Sequence, residues 1–400
     1  MNIEKIRADF PLLKKTGVVY FDNAATSLKP QCVLDKMTEY YTEYGANIHR
    51  GAHKLSVRAS QEYERAHRIA AKFFGTKESE IIMAFNTTHA LNLVSYGLDW
   101  KAGNNIVSSC IEHHSNLLPW MYAAKKHKLE HKIVESDLEG NFDLEKWQEK
   151  IDRKTQLVSV TAASNVLGCM PPVKEIGKIA HDSGALFMVD CAAAAGHIPL
   201  NFKKIGADFA AVAGHKAFGP TGTGILYATE DLVKKEVIMP AYLGGGTVSD
   251  ASCHDYALAH SPDRFEAGTP NIAGVIGLGV ALEYISKIGV DNIRKHDIEM
   301  MSHTFKRFRE IPSIEYYGPR TAEKKVGLVT FNLKGMDAHD VSLLLDETAN
   351  VATRSGHHCA YPLMKFLGVD GNVRASYHAY NTTEEVDVMC DALEKIARTV

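Results

Sequence analysis

The chain has 400 residues, 45% of them hydrophobic, which is enough to bury the core of a large domain with a smaller partner and excludes disorder as the default prediction. Its 45 basic and 48 acidic residues leave a net charge of −3. No block of like charges provides an electrostatic footprint for nucleic acid, so we expect no nucleic-acid partner.

The N-terminal residues, 1–17, mix basic and acidic side chains and lack the apolar stretch of a secretory signal. We therefore expect a cytoplasmic protein. The longest strongly apolar stretch, residues 272–282, falls far short of the roughly 20 residues that cross a bilayer, so no membrane association is expected.

Short apolar strands alternate with amphipathic helices through the first two-thirds of the chain. The strands are predicted at residues 81–84, 105–109, 157–161, 186–190, 209–213 and 224–228. Helices with apolar residues three and four positions apart are predicted at 60–74, 90–98 and 173–183. This alternation is typical of an α/β domain with a largely parallel sheet and helices on both faces.

The pattern changes after about residue 285. A long charged helix is predicted over 291–308, then strands at 314–317 and 327–333, and helices at 338–347 and near 384–398. This order predicts a smaller C-terminal α/β domain. We place the large domain at 15–284 and the smaller domain at 285–400, packed with residues 1–14.

Polar residues follow several predicted strands, where open α/β sheets bind their ligands. The segment 85–89 joins a strand to a helix, so the hydroxyls of Thr87 and Thr88 would face a phosphate at the positive end of the helix dipole. A plain threonine N-cap is the favoured alternative for this segment taken alone. Two more strand ends carry the polar segments 112–116 and 164–168, and an imidazole in the first could stack on a flat ring or shuttle protons.

Asp190 ends the predicted strand 186–190, and Lys216 follows the predicted strand 209–213. Asp190 could be a helix cap, a metal ligand, or the anionic partner that keeps a pyridinium nitrogen protonated. Lys216 lies in a glycine-flanked loop that would hold it in place, although an isolated lysine is usually a solvated charge. Together the two side chains could grip opposite ends of one ring.

The cysteines and histidines do not form a metal-binding pattern. The seven cysteines are odd in number and contain no Cys-x-x-Cys pair, which argues against a disulfide framework and against a thiolate zinc site. The pairs His113-His114 and His357-His358 are adjacent, so neither pair aims two imidazoles at one ion. We predict no metal site.

Seven segments between Tyr20 and Asp387 together resemble the SufS-type cysteine desulfurases and selenocysteine lyases, class V of the aminotransferase superfamily. They are YFDNAATS (20–27), HRGAH (49–53), EHHSN (112–116), SNVLG (164–168), GHK (214–216), FEAGTPN (265–271) and RSGHHC (354–359). The resemblance implies fold type I of the pyridoxal-5′-phosphate (PLP) enzymes. The large domain would contain a mostly parallel seven-stranded sheet, and the smaller domain would carry the Cys359 loop.

The resemblance also implies how PLP is held. Lys216 would bind it covalently, Asp190 would pair with its ring nitrogen, and His113 would stack on the ring. The other predicted cofactor residues are Thr87, Thr88, Asn165, His215 and, reaching in from a second subunit, Thr269. A homodimer is expected from this last role and from Arg50 and His53.

On the substrate side, the resemblance implies that Arg374 grips the carboxylate of L-cysteine, a task that suits its planar fork. Asn165, Ala25 and Arg354 would lie beside it. Cys359 would accept the sulfur. A lone cysteine is usually buried and structural, but Arg354, His357 and His358 could favour the reactive thiolate here.

The implied activity is a PLP-dependent cysteine desulfurase with Lys216, Cys359 and His113 as catalytic residues. It would convert L-cysteine into L-alanine and carry the sulfur as a persulfide on Cys359, for iron–sulfur cluster assembly or another delivery to an acceptor protein. L-Selenocysteine stays an alternative substrate, because it differs by one atom.

Several positions depart from the family pattern. Ala193 and Ala213 stand where Gln and Ser or Thr are usual, His89 stands where Glu is common, and the segment 247–249 after the glycine run lacks an acidic residue. These changes leave two alternatives open. One is a class V C–S lyase or aminotransferase-like enzyme with an altered substrate, and the other is an inactive binding or scaffold protein of this fold.

Overall fold

The computed structural model describes residues 1–49 and 51–398, and Arg50, expected at a dimer contact, lies outside these residues. The strands, in chain order, are β1 (Val19–Tyr20), β2 (Ile81–Ala84), β3 (Asn105–Ser109), β4 (Glu130–Val134), β5 (Thr155–Thr161), β6 (Leu186–Asp190), β7 (Phe209–Ala213), β8 (Gly224–Ala228), β9 (Val248–Ala251), β10 (Tyr256–Leu258), β11 (Ile314–Tyr317), β12 (Leu328–Leu333), β13 (Val351–Ala352), β14 (Arg354–Gly356) and β15 (Asn372–Ser376).

The helices, in chain order, are α1 (Ile3–Ala8), α2 (Pro11–Thr16), α3 (Gln31–Glu43), α4 (Lys54–Phe74), α5 (Thr87–Gly97), α6 (Leu118–His127), α7 (Leu144–Lys150), α8 (Val173–Asp182), α9 (Phe202–Ile205), α10 (Glu230–Lys234), α11 (Ile272–Ile288), α12 (Val290–Phe308), α13 (Ala338–Ala349), α14 (Tyr361–Leu367) and α15 (Thr383–Ala397).

The large sheet has seven strands in the order β2-β8-β7-β6-β5-β3-β4. Its central pairs are parallel, whereas β8 runs antiparallel to both β2 and β7. Every residue of β2, β3, β7 and β8 is buried, as expected for strands covered by helices on both faces. The predicted mostly parallel seven-stranded sheet is therefore confirmed.

Two observed elements, β4 and the start of α4, differ from the prediction, and both involve polar residues. Strand β4 was not predicted, because it forms the edge of the sheet and begins with the polar residues Glu130, His131 and Lys132. Helix α4 begins at Lys54 and not at residue 60, because the side chain of His53 accepts a hydrogen bond from the Ser56 N–H at 3.4 Å and caps it.

A second, antiparallel sheet in the order β11-β12-β15-β14 lies in the C-terminal part of the chain. It has its own apolar core, which includes Phe305 from α12, Leu345 from α13 and Leu393 from α15. In the N-terminal segment, Arg7 forms an ion pair with Glu385 at 2.7 Å. The predicted division at residues 284 and 285, with 1–14 joined to the smaller domain, stays a prediction.

Across the described ranges, no single helix is long and apolar enough to cross a membrane. Only as a pair do helices α11 and α12 have both the length and the apolar composition of a membrane span, and they are bent by 72° relative to each other. The apolar residues of α11 face the protein core, where Leu278, Leu282 and Ile285 are almost completely buried.

Candidate active site

A cavity of about 340 Å³ lies at the carboxyl ends of β5, β6 and β7, between the large sheet and the segment that carries β14 and β15. Its volume suits a small-molecule ligand. The predicted cofactor residues that line it are Thr87, Thr88, His113, Asn165, Asp190, His215 and Lys216. The predicted substrate residues Ala25, Arg354 and Arg374 and the predicted sulfur acceptor Cys359 line the same cavity.

Lys216 ends a short 3-10 turn that follows β7. The carbonyl of His215 holds this turn by accepting hydrogen bonds from the Ser27 N–H at 3.0 Å and from Lys29 Nζ at 3.1 Å. Glycine is required at 214, because a Cβ there would lie 2.2 Å from Thr223 Oγ1. Burial, followed by the charge of Arg374, lowers the pKa of Lys216 to about 8, so an appreciable fraction of the amine is neutral near physiological pH.

Asp190 supplies a buried carboxylate at the end of β6. Its exposed fraction is 2%, and its Oδ1 accepts a hydrogen bond from the Ala192 N–H at 2.8 Å. Burial raises the pKa of Asp190, while the Ala192 hydrogen bond and the nearby Lys216 oppose that shift. A protonated ring nitrogen placed beside this carboxylate would stabilise its charged form.

His113 presents a neutral imidazole to the cavity. Burial and the charge of Lys216 lower its pKa to about 3, and its Nδ1 accepts a hydrogen bond from the Ser115 N–H at 3.0 Å. The proton therefore lies on Nε2. A flat, neutral ring of this kind can stack on another aromatic ring and donate one hydrogen bond.

Glu112, which sequence reasoning did not select as a site residue, anchors the loop that carries His113. Its carboxyl group accepts hydrogen bonds from Asn116 Nδ2 at 2.6 Å and from the Thr161 N–H at 3.1 Å. Burial raises the pKa of Glu112 to about 8. The group ties the His113 loop to β5, a connection between segments far apart in sequence that only the fold reveals.

Helix α5 points its N-terminus at the cavity. Asn86 caps the helix through a 2.9 Å hydrogen bond from the His89 N–H, so the interpretation of the threonines as a simple N-cap is wrong. Thr87 Oγ1 is buried without a hydrogen-bond partner in the described chain, and Thr88 Oγ1 lies 2.7 Å from Ser115 Oγ. These hydroxyls and the helix N-terminus suit a phosphate, and Ser115 is a cavity residue that was not predicted.

The cavity lining also includes two guanidinium groups that lie around Asp22. Arg374 is 3% exposed, and its Nη1 donates a 2.9 Å hydrogen bond to the Asn165 carbonyl. Its Nη2 lies 3.5 Å from Asp22 Oδ1, and Arg354 Nη1 lies 3.6 Å from Asp22 Oδ2. Arg374 Nε is buried with no partner in the described part of the chain, so this residue can still bind a carboxylate.

Cys359 is exposed on a turn in which both it and His358 adopt positive φ angles, 57° and 50°. Such angles cost energy for residues other than glycine, so the surrounding contacts must hold the turn. The expectation that His358 favours the thiolate form of Cys359 is wrong. Burial lowers the pKa of His358 to about 3, and its Nε2 is engaged with Asn372 Oδ1 at 2.8 Å, so this imidazole is neutral.

Thr269 is the one predicted cofactor residue that does not line this cavity. It lies in a separate depression with His49 and Gly246, and its side chain is exposed. Its entry into the cavity of a second subunit stays a prediction. Ala193 and Ala213 do line the cavity, so both departures from the family pattern fall where a ligand would touch them.

The donor set fits PLP better than it fits a metal. The cavity combines an amine for an aldehyde, a carboxylate for a ring nitrogen, a neutral ring for stacking, and an unpartnered hydroxyl at a helix N-terminus for a phosphate. No group of three or more potential metal ligands occurs in residues 1–49 and 51–398.

Known proteins resemble this chain over nearly all of its length. A family model described as Aminotransferase class-V matches residues 19–389. A relative from Pyrococcus abyssi named "Probable cysteine desulfurase" is 45% identical over 400 residues, which cover 99% of this chain and 98% of the relative. The cysteine desulfurase of Haloferax volcanii is 39% identical, with 98% and 96% of the two chains covered. The apo structure of the cysteine desulfurase from Thermococcus onnurineus NA1 has a TM-score of 0.96 and 45% identity, covering 99% of this chain and 98% of that chain.

Proposed function

Because the chain belongs to the class V aminotransferase family, we propose that it is a PLP-dependent cysteine desulfurase. It removes sulfur from L-cysteine and releases L-alanine. The predicted PLP fold type I is confirmed. One observation carries the proposal: the Lys216 amine, the Asp190 carboxylate, the Arg374 guanidinium and the Cys359 thiol all line one cavity.

In this proposal Lys216 binds PLP covalently, Asp190 pairs with the ring nitrogen and His113 lies against the ring. Thr87, Thr88, Ser115 and His215 hold the phosphate. When bound, the cofactor withdraws electrons from the substrate Cα and thereby weakens the neighbouring C–S bond. The assignment is supported by the unpartnered Thr87 hydroxyl and by the neutral state of His113 and His215, whose pKa values burial lowers to about 3 and about 4.

The protein's own residues position the substrate and move its protons. Arg374 and Asn165 hold the carboxylate of L-cysteine, with Arg354 and Ala25 at the cavity mouth. Lys216 accepts the Cα proton at its Nζ, because a pKa of about 8 leaves part of the amine neutral. Returning a proton to the product requires the same amine.

Sulfur transfer takes place at Cys359. Its thiolate attacks the substrate sulfur, an S–S bond forms, the C–S bond breaks with its electron pair kept on the carbon side, and protonation there completes L-alanine. The product on the protein is a Cys359 persulfide. The exposed position of Cys359 leaves that sulfur within reach of an acceptor protein, including one that serves iron–sulfur cluster assembly.

The partner and location are part of the same proposal. A homodimer would bring the exposed Thr269 of one subunit toward the cavity of the other. L-Selenocysteine is a possible second substrate because it has the same carboxylate and amine. A cytoplasmic location agrees with seven free cysteines, which an oxidising compartment would not preserve.

Product analysis tests the function. The purified chain is incubated with PLP, L-cysteine and a thiol reductant, and we expect alanine and sulfide in equal amounts. Pyruvate and ammonia in place of alanine would identify a C–S lyase. A protein that binds no PLP and releases no product would be the inactive scaffold.

A further inference from the structure

A small inner chamber adjoins the cavity at Lys216. The two spaces share Ala24, Ala192, Ala193 and Lys216 as lining residues. The chamber has a water-accessible volume of about 10 Å³, close to what one water molecule needs. The short side chain of Ala193 borders both spaces, and a longer side chain there would extend into one of them.

His197 also lines this chamber and is paired with a buried carboxylate. Its Nδ1 lies 2.9 Å from Oδ2 of Asp297, whose exposed fraction is 0%. Because Nδ1 donates its proton to the carboxylate, Nε2 is left to accept one. The Asp297 carboxylate thus orients the His197 ring, as in other aspartate–histidine pairs.

The second oxygen of Asp297 indicates that the pair does more than join the turn after β6 to helix α12. Oδ1 is buried and has no hydrogen-bond partner within the described ranges, a costly state for a carboxylate. Gly327 lines the chamber and lies against this oxygen, since a Cβ at 327 would be 2.5 Å from it. The carboxylate therefore borders the chamber wall.

The other titratable groups around His197 do not compete for a proton. His378, between β15 and α15, lies 4.5 Å from His197 between ring centroids, and burial holds its pKa far below the ordinary value. On α12, burial also lowers the pKa of His296, and Arg294 is a permanent cation near Asp297. His197 is thus the imidazole that both lines the chamber and contacts a carboxylate.

We propose that His197 and Asp297 form a proton relay for Lys216, in which one water molecule in the inner chamber carries the proton between Lys216 Nζ and the His197 ring. The Lys216 ammonium gives a proton to the water, and the water gives one to neutral His197. The amine becomes neutral, the imidazolium lies beside the Asp297 carboxylate, and the water is regenerated. The reverse transfer restores the ammonium. This inference rests on the proposed role of Lys216, and His197 acts through Lys216 as a positioning residue.

Covalent capture of PLP provides a test that does not depend on turnover. Cofactor-free full-length protein is mixed with PLP at pH 7, and the rate of the absorbance change is followed in wild type and in His197→Gln. We expect capture to slow by about 10²-fold, within the range that a positioned acid–base group contributes. Raising the imidazole buffer concentration at constant pH and ionic strength should accelerate the variant and leave wild type unchanged, because a small buffer molecule replaces the relay.

Two further variants separate a relay from a structural role. Asp297→Asn keeps the side-chain shape. This variant should also capture PLP slowly, and added imidazole buffer should accelerate the capture. His303→Gln is the matched control and should capture PLP at the wild-type rate. His303 lies on the same helix as Asp297, and its Nε2 lies 2.8 Å from Asp387 Oδ1. Neither residue of this second pair lines the chamber. Capture within twofold of wild type in His197→Gln and Asp297→Asn, or slow capture without buffer acceleration, would overturn the relay. A protein that captures PLP normally but never forms alanine would instead contradict the proposed function.

Discussion

The His114 N–H donates a 2.8 Å hydrogen bond to the carbonyl of Cys359. This contact joins the loop that carries His113 to the turn that carries the thiol. The ring of His114 also stacks on Tyr361 at 5.2 Å between centroids, and the Tyr361 N–H donates to His114 Nε2 at 3.1 Å. The proposed sulfur acceptor is therefore fixed relative to the group predicted to stack on the cofactor.

Replacing Lys216 with Ala tests the covalent attachment of the cofactor. We expect the absorbance of bound PLP to change to that of free PLP, dialysis to remove the cofactor, and turnover to fall below detection. The cavity groups Asp190 and His113 should still bind PLP weakly. Absorption spectra before and after dialysis check this outcome, and a Lys216→Ala protein that keeps its cofactor through dialysis and still turns over would contradict it.

The pH dependence of kcat should follow the Lys216 amine. Its pKa is about 8, below that of an ordinary lysine, so the neutral form that accepts a proton increases as pH rises toward 8. We expect kcat to rise about tenfold per pH unit below pH 7 and to level off above about pH 8. A kcat that is constant from pH 6 to pH 8 would show that another group is the base.

Arg374→Lys should weaken substrate binding because lysine keeps the charge but lacks the planar fork. Loss of one hydrogen bond to a carboxylate costs about 1.5–3 kcal/mol, which corresponds to a KM increase of about 10- to 150-fold. Arg354→Lys provides the comparison, because that side chain is 58% exposed and its loss should cost less. Equal effects of the two substitutions on KM would contradict the assignment of Arg374.

Lys325, which does not line the candidate active-site cavity, allows a prediction about stability. It is 0% exposed, its Nζ lacks a hydrogen-bond partner in the described residues, and burial lowers its pKa to about 7. Between pH 7 and about 10 the unfolded chain binds more protons at this lysine than the folded chain does. Burial of the lysine therefore lowers the free energy of unfolding by its full amount below pH 7, and this destabilisation is lost as the pH rises through that window. Lys325→Met should therefore raise the free energy of unfolding by roughly 1–4 kcal/mol at pH 6.5.

Denaturant unfolding of the cofactor-free protein at pH 6.5 and pH 10 measures this effect. The gain from Lys325→Met should shrink at pH 10, and Lys324→Met, at an exposed neighbouring position, should change little at either pH. Lys325 Nζ lies 5.4 Å from the centroid of the Phe305 ring. A destabilised Lys325→Met protein at pH 6.5 would mean that this contact outweighs the cost of burying the amine.

Local sequence was sufficient to predict the buried strands and the polar residues at their ends. Asp190 ends β6 and Lys216 follows β7, and these apolar strands pair in register, so both residues reach the same edge of the sheet. The resemblance to a family added the residues of the smaller unit, such as Arg374 and Cys359, whose approach to Lys216 depends on how distant segments pack.

The missed features arise from contacts between distant segments. Strand β4 is polar because it forms a sheet edge, and Ser115 becomes a cavity residue only because its loop meets the N-terminus of α5. The neutral state of His358 follows from burial against Asn372, which no local pattern indicates. The pair of His197 and Asp297 likewise joins two elements that are remote in sequence.

Mass spectrometry of the protein after a single turnover tests the central claim most directly. The PLP-loaded chain is mixed with L-cysteine, trapped with an alkylating reagent and digested, and the peptides that contain each of the seven cysteines are compared. We predict one added sulfur atom on the Cys359 peptide, with alanine in equal amount, and none on that peptide in Cys359→Ser, which should keep the absorbance of bound PLP. Alanine formation at the wild-type rate in Cys359→Ser, or the added sulfur on another cysteine, would contradict the account.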